Sequence, residues 1–164
     1  MAATPPGVRR QPASLEIVRF RPRHLERILE IERAAFAAES YTRRIFRELY
    51  SECGDLFLVA KVSRRIAGYM ATCADAGQAE IISVAVAPEL RRQGIAAALL
   101  EYTLRRLRES GARSVELMVR VDNRPAIRFY RRFGFRRVGE VPGYYEDGRT
   151  GLRMRRRLQG PPLL

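Results

Sequence analysis

The chain has 164 residues and 18.8 kDa, the size of one ordinary domain, and its 46% hydrophobic content is enough to fill one core. No stretch approaches the roughly eighteen consecutive apolar residues of a spanning helix, and the N-terminus lacks the apolar segment of a secretory signal, so a soluble, cytoplasmic protein without membrane contact is expected. Two cysteines, Cys53 and Cys73, have neither the number nor the spacing of a disulfide framework or zinc site, and a single histidine, His24, excludes an imidazole metal cluster; both cysteines read as ordinary core or surface residues.

The formal charge is +13, and every basic residue except Lys61 is arginine. The arginines are spread along the whole chain, as a GC-rich coding sequence would place them. A field of this sign still attracts polyanions, whether a phosphorylated cofactor, RNA or an acidic protein surface, and repels free cations.

Residues 1–13, rich in Pro, Gly and small side chains, and the C-terminal residues 159–164 are expected to be flexible tails around one domain over 14–158. "LEIVRF" (15–20) predicts a first strand. After Pro22, Leu25, Ile28, Leu29, Ala35 and Phe36 follow a helical face, and Ile45, Phe46, Leu49 and Tyr50 suggest a second short helix. "DLFLVAKV" and "RIAGYMATC", joined at Ser63 and Arg64, read as a hairpin leading to a strand over 79–86. Ala96, Leu99, Leu100, Thr103, Leu104 and Leu107 then repeat at helical spacing up to a stop at Gly111. "SVELMVR" (114–120) alternates Val115, Leu117 and Val119 against Glu116, Met118 and Arg120, as a strand with two different faces should. Asn123 can cap a helix with Pro125 in its first turn that ends at Gly134, and two last strands, near 135–141 and 151–158, flank "PGYYEDGRT". The order predicts a mixed α/β sheet with at least one parallel pair.

Between the strand over 79–86 and the next helix lies "PELRRQGIAAALL" (88–100). A helix's first turn leaves backbone N–H groups unpartnered at the positive end of its dipole, which suits an anion. Gly94 permits close backbone approach, Ala96 keeps the next position small, and Arg91, Arg92 and Gln93 add donors for phosphate oxygens. The stretch has the physics of a pyrophosphate cradle, but neither the Walker ending nor the three-glycine dinucleotide fingerprint.

Arg91-Arg92-Gln93-Gly94-Ile95-Ala96 resembles the Arg/Gln-x-x-Gly-x-Gly/Ala signature of GNAT acetyltransferases. Asn123, Ala126, Tyr130, Gly134 and Phe135 are similar to that family's Asn-x-x-Ala-x-x-x-Tyr-x-x-x-Gly-Phe segment. "GYYEDG" (143–148) resembles a loop of protein N-terminal acetyltransferases, both RimI-like and archaeal, and "AESY" (38–41) is similar to the Pro-Glu-Asn-Tyr between the first two helices of the archaeal and eukaryotic group, with Ala38 in place of the proline. The resemblance spans residues 15–158. It implies a GNAT fold: a single mixed, splayed sheet of about seven strands with about four helices.

It also implies acetyl-CoA as cosubstrate. Its arm would pair with Val84 and Val86, its pyrophosphate would sit on residues 91–96, and Asn123 would contact the arm. The Val86 N–H is the candidate for polarising the thioester carbonyl. An acceptor ammonium must lose a proton before attack. The resemblance offers Glu80 and Glu39 for this work and Tyr130 as the acid that protonates the departing thiolate, with Tyr41, Tyr144 and Tyr145 lining the acceptor entrance. Met118 stands where relatives carry Glu or His; it cannot accept a proton, and Glu116 is a remote substitute. The expected reaction is acetylation of a protein N-terminus, a ribosomal protein among the acceptors, by direct attack in a ternary complex. Small-molecule or lysine amines are an alternative, and a non-catalytic RNA- or ribosome-binding module is an alternative of another class.

Overall fold

The structure, a computed structural model, describes residues 14–158; the two expected tails lie outside the described residues. Seven strands form one sheet: β1 (Leu15–Arg19), β2 (Phe57–Val62), β3 (Arg65–Asp75), β4 (Gln78–Val86), β5 (Ser114–Arg120), β6 (Arg136–Val141) and β7 (Gly151–Arg157). Their order is β1-β2-β3-β4-β5-β7-β6, antiparallel throughout except for the parallel pair β4–β5. Four α-helices complete the domain: α1 (Leu25–Phe36), α2 (Arg43–Cys53), α3 (Ile95–Glu109) and α4 (Arg124–Arg132). Among the described residues no helix is long and apolar enough to cross a membrane.

The apolar periodicities decide which face each helix covers. Leu99, Leu100, Leu104 and Leu107 of α3 bury their stripe with Leu58, Met70, Val115, Leu117 and Met154 on one side of the sheet. Each such side chain contributes about 1.5–3 kcal/mol on burial. On the other side Ile28, Leu29 and Ile31 of α1 and Phe46 and Leu49 of α2 join Phe57, Val59, Tyr69 and Ala85. The β2–β3 turn uses Ser63 and Arg64 at φ 49° and 67°, the left-handed pair that matches hairpin twist.

One strand pair positions the site. β4 and β5 pair only from Gln78↔Ser114 to Ile81↔Leu117. The register against β3 then shifts, Thr72 facing Ile81 and Ala71 facing Ser83, so Ile82 is the extra residue of a β-bulge. Beyond it β4 stays with β3 and leaves β5, which opens the sheet; a bulge bends its own strand and strengthens local twist.

The reading of the cysteines is corrected. Cys53, the last residue of α2, and Cys73 of β3 form a disulfide across a sequence separation of 20 residues. Their sequence spacing is uninformative because the packing of α2 on the sheet brings them together. Closing a loop of this length removes unfolded-chain entropy worth about 3 kcal/mol. A Cys53→Ser/Cys73→Ser double variant should therefore melt lower by roughly 6–12 °C in calorimetry. Wild type with a reductant should follow it.

Candidate active site

The gap between β4 and β5 carries free main-chain groups. The Ala87 N–H donates to the Ala67 carbonyl at 2.7 Å, which makes the neighbouring Gly68↔Val86 pair a non-hydrogen-bonded one. The amide and carbonyl of Val86 thus point away from β3, and by the two-residue repeat so do those of Val84. The Arg91 guanidinium donates to the Val86 carbonyl at 3.3 Å, leaving the Val86 N–H directed into the gap.

A cleft of about 1370 Å³ runs from this gap to the start of α3. Val84, Val86, Arg91, Arg92, Gly94, Ile95, Ala96 and Tyr130 all line it. Gln93 and Asn123 do not; Asn123 instead caps α4, accepting the Ala126 N–H at 3.2 Å. Gly94 sits at φ 78° immediately before Ile95, so its role is conformational as well as steric: a left-handed residue turns the chain into α3. An extended acyl carrier fits this arrangement, with a backbone edge for its amides and a helix N-terminus for its phosphates.

Tyr130 is 7% exposed, packed edge-on against Phe129 and Phe135. Burial holds its phenol well above the ordinary tyrosine range. Its hydroxyl has no hydrogen-bond partner among the described residues.

The opposite mouth of the gap is built around Arg120, which sequence reasoning left as a plain strand residue. Arg120 ends β5 on the same face as Met118. It donates to Glu39, from the loop between α1 and α2, and to Asp147 at 2.8 Å, from the loop between β6 and β7. Its guanidinium also lies 4.3 Å from the Tyr145 ring centroid. Hydrogen bonds donated to Glu39 and Asp147 hold the guanidinium firmly charged. Tyr145 meets Tyr144 edge-to-face at 5.0 Å, and burial, with Tyr144 nearby, pushes its phenol up to about 12. Tyr144 is half exposed.

The usual acid position is a packing site here. A methyl group on Gly151 would lie 2.6 Å from Met118 Cε and 3.0 Å from the Tyr144 ring, so the thioether and the ring pack closely over this glycine. Glu116, one step further from the gap, is held by Arg155 at 2.5 Å, opposite Glu80 in the closed part of the sheet. Glu80 itself is exposed, and its charge reaches Tyr41.

Beneath this mouth lies a second feature missing from the sequence-based site. Glu32 of α1 is 1% exposed and accepts the Tyr41 N–H at 2.9 Å and the Tyr69 hydroxyl. Tyr69, fully buried on β3, shares a 2.7 Å hydrogen bond with Ser83 of β4. The signal was present: Glu32 falls four residues after Ile28 on the apolar stripe of α1.

A sheet opened along one parallel pair, with the start of a long helix on one side and a tyrosine-lined mouth on the other, is the arrangement of an acyl-transfer protein. A model of the Acetyltransferase (GNAT) family matches residues 25–135; the chain belongs to this family and is an N-acetyltransferase, a class that uses acetyl-CoA. It is 33% identical over 147 residues to an N-alpha-acetyltransferase of Saccharolobus solfataricus, covering 82% of this chain and 87% of that protein. It is 29% identical to the putative [ribosomal protein bS18]-alanine N-acetyltransferase of Bacillus subtilis, over 75% of this chain and 82% of that one. The crystal structure of Ard1 from Thermoplasma volcanium superposes with a TM-score of 0.86 at 31% identity, covering 90% of this chain and 99% of that one.

Because Arg120 joins both acceptor-side loops, its loss should be felt by the acceptor alone. Arg120→Met is expected to raise the acceptor-peptide KM about tenfold, roughly 1.4 kcal/mol of binding. Acetyl-CoA affinity by calorimetry should stay within twofold of wild type.

Proposed function

We propose that the protein transfers acetyl from acetyl-CoA to the α-amine of a protein N-terminus in the cytoplasm, by direct attack in a ternary complex. The observation that carries this reading is the Arg120 hub, which fixes Glu39 and the tyrosine loop over the acceptor mouth. Names of relatives that act on protein N-termini support it.

The pyrophosphate rests on Arg91, Arg92 and the N–H groups from Gly94 to Ala96, and the arm pairs with Val84 and Val86. The Val86 N–H points where it can stabilise the developing oxyanion. Tyr41, Tyr144 and Tyr145 hold the first residues of the peptide, and the carboxylates of Glu39 and Glu80 draw in the ammonium against a positive protein. The ammonium gives up its first proton through water on this side of the gap. The amine attacks the thioester carbon, the C–S bond breaks as the tetrahedral intermediate collapses, and Tyr130 protonates the sulfur.

The test is CoA thiol release with a panel of peptides differing in their first residues, ribosomal-protein N-termini included, beside N-blocked peptides containing lysine. Release only with free N-termini supports the reading. Release with blocked lysine peptides moves the activity to side chains. Turnover of neither, with acetyl-CoA still bound, leaves a small amine or the non-catalytic RNA- or ribosome-binding reading, whose affinity would fall steeply with salt.

A further inference from the structure

Among the described residues Glu32 is the one carboxylate in the core. Removing a charge from water is costly, and a strut between α1 and the sheet would be made more cheaply by neutral groups. The location of Glu32 suggests a reason for keeping an acid. Its Oε2 accepts from Tyr69 Oη, and Tyr69 Oη lies 2.7 Å from Ser83 Oγ. Ser83 is half-buried and follows the bulge at Ile82, where β4 leaves β5. The three oxygens therefore form a continuous path from the mouth of the gap into the core.

We propose that Ser83, Tyr69 and Glu32 form a proton relay that takes up the proton lost by the acceptor ammonium, serving where Met118 replaces the usual acid or histidine of β5. The relay rests on the reading that an amine meets the thioester at this gap, whichever amine it is. Bond polarity along the path suits inward transfer. Tyr69 already donates to Glu32, Ser83 can donate to Tyr69, and Ser83 Oγ retains lone pairs for a proton arriving through a water from the ammonium. One N–H bond of the ammonium breaks, each hydroxyl passes its proton one place inward, and Glu32 ends as the neutral acid. The freed nitrogen lone pair attacks the carbonyl carbon; as the C–S bond breaks, the thiolate takes the proton of Tyr130, and the second nitrogen proton, passed through water, replaces it on the Tyr130 oxygen. Glu32 later returns its proton to solvent by the same path, so one proton is released per turnover.

The electrostatic setting agrees. Burial pushes the Glu32 carboxyl above the usual carboxylate range, although the bonds from Tyr41 and Tyr69 pull it part of the way back. A base raised in this way is better matched to an ammonium than a solvated acid is. The groups facing the relay are Tyr41 from the α1–α2 loop, Tyr69 from β3, Ser83 and Glu80 from β4, and Tyr144 acting on Tyr41. Among the described residues no arginine is bonded to Glu32, so no adjacent cation there holds it ionised.

The experiment is the pH dependence of kcat/KM for wild type, Glu32→Gln, Tyr69→Phe and Ser83→Ala with a free-amine peptide from pH 6 to 10. Acetyl-CoA affinity and Tm are measured alongside. The wild-type rate should climb and level off below the pH at which the amine itself titrates. With the relay cut, the rate at pH 7 should fall about a hundredfold and keep rising through pH 9, where the amine loses its own proton to solvent. A strut would behave differently: its loss lowers the rate by the same factor at every pH. Such a uniform loss, or profiles matching wild type in all three variants, would overturn the relay. Should Glu32→Gln fail to fold, Ser83→Ala, which removes one half-buried oxygen, decides alone. Wild type that turns over no amine would sink the proposed function instead, so the two failures are separable.

Discussion

Gly94→Glu is expected to weaken acetyl-CoA binding at least a hundredfold in titration calorimetry while the far-ultraviolet spectrum stays that of the native fold. Two effects act together. Gly94 is left-handed at φ 78°, a conformation that costs an ordinary residue about 1–2 kcal/mol. The new carboxylate would also stand at the start of α3, where the helix dipole and the guanidinium groups of Arg91 and Arg92 are arranged for phosphate. Gly94→Ala separates the contributions, because it keeps the strain and omits the charge; its affinity should fall between the two. An unchanged dissociation constant for the glutamate variant would remove the cradle from the mechanism.

Tyr130→Phe is expected to lower kcat by a factor of about 10² with peptide KM and acetyl-CoA affinity within threefold of wild type. Phenylalanine preserves the edge contacts with Phe129 and Phe135 and deletes only the hydroxyl. Burial raises this phenol, so it stays protonated well into alkaline solution and remains able to donate. The pH profile of wild type should accordingly lack a falling limb where a solvated tyrosine would titrate, near pH 10. If kcat survives the substitution, Tyr130 is a core residue and the thiolate takes its proton from solvent.

Much of this architecture could be read from local pattern, because local pattern is what produced it. The alternation in 114–120 became β5 with Val115, Leu117 and Val119 buried, and the cap and proline at Asn123 and Pro125 became the start of α4. The glycine-led start of α3 was legible because its signals are contiguous. Features that depend on distant partners were not. Cys53 and Cys73 meet only when α2 docks on β3, and Arg120 finds its acids on two loops far away in sequence. The opening of the sheet depends on the single extra residue Ile82, whose side chain gives no hint of a bulge. Glu32 could have been noticed as an acid on an apolar stripe, yet only the fold supplies the Tyr69 and Ser83 that give it meaning.

The gap between β4 and β5 has two mouths. The coenzyme cleft lies toward α3 and α4, while the loop carrying Glu39 and Tyr41 and the loop carrying Tyr144 and Tyr145 stand over the other side. Neither tenant blocks the other's door. A single molecule joining a short peptide's nitrogen to the sulfur of CoA would thread the wall and occupy both rooms at once, each half raising the effective concentration of the other to the millimolar range. Its dissociation constant should approach the product of the two separate ones divided by that effective concentration. Shortening either half would show how firmly each room holds its guest.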